Sequence, residues 1–283
     1  MSLSPQKSAR ESALIPGDRL QFILDRLDKQ NACTYEELAG LLQVSTMTIR
    51  RDLERLVRQG AVIKTVGGAQ RAHAPSYLYE TAVYSRLAVH RAEKRAIASR
   101  ALDLIAAQST IFIDGSTTCL ELARCIAKER KGLTIVTNSA LACLELGKSG
   151  GNTIIGIGGQ YDANSLCYVG PQADDLAKEL FLDIAFVGTK ALLPTEGTFE
   201  SSLPTFRIKQ IVAGRCARLV LLADHSKIGQ RALSKVLNIT QIHTVVTDDQ
   251  VRPEDLAVLA KAGPKVNVAP RLNARLERTA DVA

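Results

Sequence analysis

The chain has 283 residues, of which 46% are hydrophobic and 23% are charged, and its formal net charge is +7. This length allows one or two domains with a sizeable core, and a mean hydropathy of +0.03 is typical of a soluble globular protein. No apolar run approaches the roughly 18 residues of a membrane span and the N-terminus lacks a secretory signal, so the sequence argues against a membrane or exported protein and predicts a cytoplasmic one.

The cysteines and histidines give no sign of a metal or cofactor site. The six cysteines form no Cys-x-x-Cys pair and the four histidines are scattered, so no metal-ligand spacing is present. We expect reduced, mostly buried thiols, no metal and no cofactor. A redox-sensing Cys119 is the weaker alternative.

The chain is expected to begin with a flexible tail, residues 1–16, followed by two helices. Thr34 and Glu37 have the spacing of a capping box and open the leucine-rich second helix. The first helix is predicted by four apolar residues at i, i+3, i+4 and i+7, namely Leu20, Ile23, Leu24 and Leu27.

A third helix is predicted to begin at Ser45, a good N-cap residue, and it has two unlike faces. At about 100° per residue, Ile49, Leu53 and Leu56 form a narrow apolar stripe. The opposite face carries arginines, hydroxyls and a methionine, a combination that can clamp phosphates and read base edges in a major groove. The short turn before Ser45 gives helix-turn-helix spacing.

The segment from Ala61 to Gly68 predicts a short strand pair with a basic wing. Between Ser45 and Arg71 there are six lysines and arginines against two acidic residues, so positive charge is concentrated on the third helix and the wing. A solvated surface helix is the alternative, but the helices before it and the wing after it favour DNA binding. The residues expected to contact DNA are Ser45, Thr46, Met47, Thr48, Arg50, Arg51, Arg55 and Lys64.

Three strings in this region are specific enough to indicate a family. They are Glu37-Leu38-Ala39, then Val44-Ser45 followed by Thr48-Ile49-Arg50-Arg51-Asp52-Leu53, and then Gly60 with Gly67-Gly68-Ala69. They resemble the amino-terminal winged helix of DeoR-family transcriptional regulators. The resemblance implies a winged helix-turn-helix DNA-binding domain over residues 17–70.

The rest of the chain predicts a doubly wound, mostly parallel α/β domain over residues 89–270. Residues 71–88 are predicted to be a linker, a helix is predicted from Val89 to Ala107, and residues 271–283 form a C-terminal tail. Short β-rich runs then alternate with helical segments of about 10–15 residues, which is typical of a parallel sheet covered by helices. The runs are Thr110–Asp114, Leu133–Thr137, Thr153–Ile157, Ile184–Val187, Arg218–Ala223, His243–Thr247 and Lys265–Ala269.

Ligands of open α/β sheets bind at the carboxyl ends of the strands, so the residues after each run form the candidate site. The string Asp114-Gly115-Ser116-Thr117-Thr118 ends the first run and opens a helix, where free amides and hydroxyls can hold a phosphate. Plain N-capping by Ser116 or Thr117 explains this loop equally well if it is taken alone. Lys227 adds a cation from another strand end, which favours an anion site, although alone it is also consistent with a surface lysine.

The sequence does not support a dinucleotide-binding fingerprint, a Walker motif or a catalytic triad. Gly156-Ile157-Gly158-Gly159 lacks the third glycine of a dinucleotide fingerprint, because Tyr161 holds that place, and no Walker lysine is present. Asp224-His225-Ser226 contains triad residue types, but three consecutive residues cannot converge as nucleophile, base and orienter. We therefore predict no catalytic residues.

Five strings at these strand ends carry a second resemblance: Ile113-Asp114-Gly115-Ser116-Thr117-Thr118, Val136-Thr137-Asn138-Ser139, Gly158-Gly159, Leu182-Asp183-Ile184-Ala185-Phe186-Val187-Gly188 and Leu222-Ala223-Asp224-His225-Ser226-Lys227-Ile228-Gly229. They resemble the DeoR-family sensor domain, which is similar in fold to ribose-5-phosphate isomerase and binds phosphorylated sugars or related metabolites. The resemblance implies a phosphate held by Ser116, Thr117 and Thr118, with Asp114, Asn138 and Lys227 at the polyol or carbonyl end. The full set expected to bind the effector is Asp114, Gly115, Ser116, Thr117, Thr118, Asn138, Gly159, Gly188, Lys190, Asp224 and Lys227.

The chain departs from the family pattern near the expected pocket. Thr189-Lys190-Ala191-Leu192 stands where the family often has a small residue and Gly-Ile, and Thr205 stands where a glutamate is common. Isomerases of the resembling fold place Asp-Gly-Ala-Asp-Glu where this chain has Val187-Gly188-Thr189-Lys190-Ala191. The lost carboxylates predict no isomerase activity, because proton transfer needs a positioned base.

The sequence thus predicts a sugar-responsive transcriptional regulator, in the first instance a repressor of a carbohydrate catabolic operon. Its partners are expected to be operator DNA and a phosphorylated sugar that weakens DNA binding, with no membrane partner. One winged helix reads only a few base pairs, so a homo-oligomer, dimer or tetramer, is expected. The alternatives are an isomerase-like enzyme with a DNA-binding appendage, a regulator whose effector carries no phosphate, and an activator.

Overall fold

The computed structural model describes residues 16–30, 32–58, 61–65, 67–71, 83–87 and 89–271. The chain divides into two compact units, residues 1–74 and 75–283. Apart from Pro16 and Arg271, the predicted tails lie outside the described residues, as does most of the predicted linker.

The first unit combines three helices with a small antiparallel sheet, as the sequence predicts. Ile23, Leu27, Ile49 and Leu53 are fully buried, so the apolar stripes predicted for the first and third helices do form the core. The strand order is first, third, second. In chain order the elements are α1 (Pro16–Gln30), β1 (Ala32–Thr34), α2 (Tyr35–Leu42), α3 (Thr46–Arg58), β2 (Val62–Thr65) and β3 (Gly68–Arg71).

Both predicted helix caps of this unit are confirmed. The Thr34 hydroxyl accepts a hydrogen bond from the Glu37 amide at 3.1 Å, and the Glu37 carboxylate accepts one from the Thr34 amide at 2.7 Å. The Ser45 hydroxyl accepts from the Thr48 amide at 3.2 Å. Such caps are worth about 1 kcal/mol each, so they fix where α2 and α3 begin.

β1 was not predicted, because three residues are too few for a periodic pattern. It pairs with β3, and Thr34 lies opposite Gly68. A Cβ on Gly68 would lie 2.2 Å from the carbonyl oxygen of Cys33, so only glycine allows this close approach.

The second unit is built on a seven-stranded parallel sheet. In chain order its elements are α4 (Val83–Leu87), α5 (Arg91–Leu102), β4 (Thr110–Ile113), α6 (Thr117–Glu129), β5 (Thr134–Thr137), α7 (Ala140–Leu146), β6 (Thr153–Gly156), β7 (Gln160–Asp162), β8 (Cys167–Val169), α8 (Pro171–Glu179), β9 (Leu182–Gly188), β10 (Ala191–Leu193), β11 (Gly197–Glu200), α9 (Leu203–Ala213), β12 (Cys216–Leu222), β13 (Ser234–Asn238), β14 (Thr244–Asp248), α10 (Pro253–Lys261) and β15 (Lys265–Ala269).

The sheet order is β15-β14-β12-β9-β4-β5-β6, with every pair parallel. Each of the seven runs predicted from the sequence forms one of these strands. The core on one face includes residues of α5, α6 and α7, and the core on the other includes residues of α8, α9 and α10. The doubly wound α/β architecture is therefore confirmed.

The structure corrects the prediction in several places. The helix predicted from Val89 to Ala107 is shorter, Arg91–Leu102, because His90 has the left-handed φ of 52° and Asp103 caps the other end. α4 lies inside the segment predicted as a linker. The hairpin β7-β8 and the antiparallel sheet β10-β11-β13 were not predicted. None of the described helices is long and apolar enough to cross a membrane.

Candidate functional site

α3 exposes one face and buries the other. Ile49, Asp52, Leu53 and Leu56 are buried, and Met47 is 56% exposed. Among the residues expected to contact DNA, only Thr48 is half-buried, and the others are exposed: Ser45, Thr46, Met47, Arg50, Arg51, Arg55 and Lys64. The structure therefore brings these residues to one accessible surface, and their contact with DNA stays a prediction.

An ion pair that sequence analysis missed fixes α3 in its unit. Arg19 on α1 holds the buried Asp52 in a two-pronged contact, with Nε at 2.5 Å from Oδ2 and Nη2 at 3.1 Å from Oδ1. Bidentate arginine–carboxylate pairs impose orientation as well as attraction. Asp52 thus faces inward and positions the helix, while its neighbour Arg51 faces outward.

The cations on the exposed face differ in how they are engaged. The Arg50 guanidinium lies 5.0 Å from the centre of the Tyr35 ring, and Lys64 on β2 lies 3.0 Å from the Glu54 carboxylate. Within the described part of the chain, no ion pair involves Arg51 or Arg55. These two arginines are the best placed to meet phosphates or base edges.

The carboxyl ends of β4, β5 and β9 surround a cleft in the second unit, with about 470 Å³ of empty volume that includes space open to solvent. Five of the residues expected to bind an effector line it: Asp114, Gly115, Ser116, Asn138 and Lys190. Thr189 and Thr205, where the chain departs from the family pattern, also line it. These residues lie together at the sheet edge that the strand-end rule indicates, and their contact with an effector stays a prediction.

Asp114 anchors the cleft wall and is only 1% exposed. Its carboxylate accepts hydrogen bonds from the Ser116 amide at 2.8 Å and the Gly188 amide at 3.0 Å, and it lies 3.2 Å from the Lys209 ammonium. Burial alone raises the pKa of Asp114, but the charge of Lys209 and the two amides outweigh it and hold the pKa below its usual value.

The Lys209 ammonium contacts oxygen atoms of three different residues. Besides Asp114, its ammonium contacts the Glu200 carboxylate at 2.5 Å and donates to the Gly188 carbonyl at 2.8 Å. Burial by itself lowers the pKa of Lys209, but Glu200 and Asp114 together outweigh it and raise the pKa above its usual value. One cation between two carboxylates is a structural arrangement, and it leaves Lys209 no proton for a ligand.

The Gly-Ser-Thr-Thr loop caps a helix, as one of the two interpretations of the sequence expected. The Ser116 hydroxyl accepts from the Cys119 amide at 3.2 Å, which makes it the N-cap of α6. A Cβ on Gly188 would lie 2.3 Å from that hydroxyl, so β9 needs glycine where it passes the loop. Thr117 and Thr118 are buried in the first turn of α6 and do not line the cleft.

Asn138 contributes to the cleft lining and makes only part of its possible hydrogen bonds. It follows β5, is 2% exposed, and donates from Nδ2 to the Tyr168 carbonyl at 3.2 Å. Its Oδ1 is buried without a hydrogen-bond partner in the described structure. A buried acceptor without a partner is costly, and a donor supplied by a ligand would remove that cost.

Lys227 and Asp224 follow β12 and lie in a separate cluster outside the cleft lining. The Asp224 carboxylate accepts hydrogen bonds from the amide and the hydroxyl of Ser226, and His225 bonds Asp248 at 2.9 Å. Burial raises the pKa of Asp224, but nearby cations, first Lys227, and the Ser226 bond hold it below its usual value. The expectation that Lys227 and Asp224 meet the effector stays a prediction.

Gly159 and Gly188 also do not line the cleft. Gly159 has the left-handed φ of 142°, and a Cβ there would lie 2.7 Å from the Val169 carbonyl oxygen, so this glycine serves the fold. Conversely, sequence analysis missed the lining residues Arg86, Ser165, Cys167 and Glu200, which come from short or unpredicted elements, and Lys209, which lies on α9. Their polar side chains are the only sequence signal for them, because none of them directly follows a strand of the parallel sheet.

Two family models match the chain. The DeoR-like helix-turn-helix domain matches residues 19–74, and the DeoR C terminal sensor domain matches residues 89–249. The chain belongs to the DeoR family. It is therefore a transcriptional regulator, with the exposed face of α3 in its DNA-binding domain and most of the cleft in its sensor domain.

Curated relatives extend over nearly the whole chain. The HTH-type transcriptional regulator GolR of Listeria innocua is 30% identical and covers 90% of this chain and 100% of its own. The L-fucose operon activator of Escherichia coli K12 is 30% identical and covers 82% and 95%. These DeoR-family relatives are named as regulators, which supports a DNA-binding protein that is not an enzyme.

Among solved structures, the ribose 5-phosphate isomerase A of Methanocaldococcus jannaschii is 17% identical, with a TM-score of 0.37 and coverage of 49% of this chain and 55% of that one. Structural similarity at this TM-score and identity does not indicate a shared function. In the described part of the chain, no group of three or more histidine, cysteine, aspartate or glutamate residues has the arrangement of a metal site.

Proposed function

We propose that this DeoR-family regulator represses a carbohydrate catabolic operon and leaves its operator when a phosphorylated sugar binds the cleft. The observation that carries the effector half of the proposal is the buried, unpartnered Oδ1 of Asn138 in the cleft wall. A sugar hydroxyl supplies the donor that this acceptor lacks. The cations Arg86 and Lys190 on the same lining suit an anionic substituent.

The DNA half of the proposal rests on the exposed face of α3. Arg51 and Arg55 project from the side opposite the buried Ile49 and Leu53, as a recognition helix requires. A homo-oligomer, dimer or tetramer, is part of the proposal, because one winged helix contacts too few base pairs for useful specificity.

The test begins with selection of bound sequences from a random DNA pool by the full-length protein. Binding of the selected duplex is then titrated by fluorescence anisotropy, with and without a panel of pentose and hexose phosphates and the corresponding free sugars. We expect one phosphorylated sugar to weaken operator binding at least about tenfold, a coupling of about 1.4 kcal/mol. Release by the free sugar and by no phosphate would overturn the phosphorylated effector, and selection of no preferred sequence would overturn the operator.

An activator is the second candidate, because the curated relatives include an operon activator. In that case the effector should strengthen operator binding or leave it unchanged while transcription rises. The same titration, run beside transcription from the operator in vitro, separates the two: the repressor proposal requires that transcription fall when the protein is added and recover with the effector.

A further inference from the structure

We propose that Arg86 on α4, which precedes the part of the chain that matches the family's sensor domain, binds the anionic group of the effector. This inference rests on the proposed function, since it takes an anionic effector as its ligand. Arg86 lies between the two segments that match the family models, 19–74 and 89–249. It also lies inside the stretch that the sequence predicts to be a linker.

The short helix that carries Arg86 is attached to the cleft wall at its start. Val83 is 2% exposed, and its amide donates to the Asn164 carbonyl at 2.9 Å. The next residue, Ser165, lines the cleft together with Arg86. α4 and the turn that holds Ser165 therefore form one continuous piece of wall.

A buried lysine holds the other end of α4. The Lys94 ammonium donates to the carbonyl oxygens of Arg86 and Val89, each at 2.6 Å, and Lys94 is 4% exposed. The last carbonyls of a helix have no partner inside it, so a buried cation there fixes the helix end. Arg86 thus lines the cleft from a backbone that is held on both sides.

The cationic residues on the cleft lining are Lys209, Lys190 and Arg86, and each of them has interactions within the structure. Lys209 is committed to Asp114, Glu200 and the Gly188 carbonyl, and Lys227 does not line the cleft. The remaining cationic side chains on the lining are Arg86 and Lys190. A guanidinium presents two parallel N–H groups that match a phosphate or carboxylate, which an ammonium cannot do.

The charge of Arg86 acts on Cys167, another residue of the cleft lining. Burial raises the pKa of the Cys167 thiol to about 12, and the positive charges of Lys209 and Arg86 oppose part of that rise. The sulfur of Cys167 packs against Gly115, where a Cβ would lie 2.0 Å from it. An anion bound beside Gly115 would therefore lie within the field of Arg86, and Asn138, whose buried Oδ1 lacks a partner, lines the same cleft.

This position has a consequence for regulation. β3 of the DNA-binding unit ends at Arg71 and α4 begins at Val83, so Arg86 lies close in sequence to the start of the second unit. A ligand changes an equilibrium only through groups that contact it differently in the two states. The proposal therefore requires that Arg86 contact the effector differently in the DNA-bound and the DNA-free state.

The test uses inorganic phosphate as the probe on the full-length protein. Phosphate is titrated at constant pH and ionic strength, with chloride as the balancing salt, and the thermal midpoint is followed in wild type, Arg86→Gln, Arg86→Lys and Arg100→Gln. Arg100 is the matched control, because it is an exposed arginine of α5, paired with Asp103 at 3.0 Å, and it does not line the cleft. Far-UV circular dichroism confirms that each variant is folded.

We expect wild type and Arg100→Gln to be stabilised by phosphate alike, with affinity about ten- to hundredfold weaker in Arg86→Gln. Arg86→Lys should fall between them. Equal phosphate affinity in wild type and Arg86→Gln would overturn the assignment, and so would a wild type that phosphate does not stabilise beyond chloride. If Arg86→Gln does not fold, a second experiment on wild type tests the assignment. An arginine-specific dicarbonyl reagent is applied with and without phosphate. Phosphate should slow the modification of Arg86 but not that of Arg100. Equal rates with and without phosphate would overturn the assignment.

The outcome is separable from that of the proposed function. An Arg86→Gln protein could bind phosphate normally and still release operator DNA when a sugar phosphate is added. That result would contradict only the role of Arg86. Failure of every sugar phosphate to release operator DNA from a wild type that binds phosphate through Arg86 would sink only the proposed effector.

Discussion

The ammonium of Lys209 on α9 lies 3.2 Å from the carboxylate of Asp114 at the end of β4, and the two side chains are 10% and 1% exposed. Glu200, at 2.5 Å from the same ammonium, makes this a buried group of two carboxylates and one cation. Removing charges from water is costly, and mutual attraction offsets that cost only while every partner is present. Lys209 therefore holds the cleft wall together.

Lys209→Met should destabilise the protein by about 3–5 kcal/mol, because it leaves two neighbouring carboxylates buried without their cation. The free energy of unfolding in urea measures the loss. Lys178→Met is the control, since Lys178 is half-exposed and pairs with Asp175 on the surface of α8. Surface pairs contribute about 0–1 kcal/mol, so similar losses in the two variants would contradict the structural role of Lys209.

This ion cluster also shows how far the sequence could predict the site. Asp114 and Asn138 were found because they directly follow apolar runs, and parallel strands bring their carboxyl ends to one edge. Glu200 and Lys209 come from β11 and α9, which no strand-end rule places near the cleft. Their charges converge only through tertiary packing.

Arg86 and Lys227 show the same limit of strand-end reasoning. Arg86 was missed because a five-residue helix inside a Pro-containing segment has no measurable periodicity. Lys227 does follow a sheet strand, but the residues after β12 turn into a short 3₁₀ helix outside the cleft lining. Strand ends predict the edge of the sheet, whereas the conformation of each loop decides which side chains reach the ligand.

Arg51→Ala should weaken operator binding by about 1–3 kcal/mol if Arg51 reads a base, and the loss should be smaller on random DNA. Arg51 is exposed on α3, and its removal leaves the buried pair of Asp52 and Arg19 intact. The measurement is an anisotropy titration on both duplexes, with thermal unfolding as the folding control. A folded variant with wild-type operator affinity would remove α3 as the recognition helix.

Lys64→Ala should weaken operator and random DNA alike, because a wing lysine is expected to meet only the phosphate backbone. The slope of log affinity against log salt should become about one unit shallower. Lys64 already contacts Glu54 at 3.0 Å, so DNA competes with that pair and the loss in affinity should be modest. A change in sequence preference would argue instead for base contact by the wing.

Lys94 should give the protein a distinctive dependence on alkaline pH. Burial is the main cause that lowers its pKa from 10.5 to about 8. Between these values the unfolded chain binds more protons than the folded one, so the contribution of Lys94 to stability rises with pH by up to about 1.4 kcal/mol per unit. Below pH 8 the lysine is protonated in both states and its contribution is constant.

Lys94→Met isolates this effect. Desolvation raises the pKa values of the Cys125, Cys167 and Cys216 thiols, which titrate in the opposite sense, but they do so equally in both proteins. The free energy of unfolding, measured in urea from pH 7 to 10, should therefore climb in wild type relative to Lys94→Met. Parallel curves would show that Lys94 is not buried against the end of α4.

Asn138 and Lys227 offer a paired test of where the effector binds. Asn138→Ala removes the buried Oδ1 that lacks a partner, together with one hydrogen bond to the Tyr168 carbonyl. We expect operator affinity without effector to stay near wild type, because Asn138 lies in the second unit, while the effector concentration needed for release rises about tenfold or more. Lys227→Ala, outside the cleft lining, should shift that concentration less. Operator titrations at several effector concentrations measure both. A larger shift from Lys227→Ala than from Asn138→Ala would contradict the central role of Asn138 and favour direct contact between Lys227 and the effector, as the family resemblance implies for Lys227 together with Asp114 and Asn138.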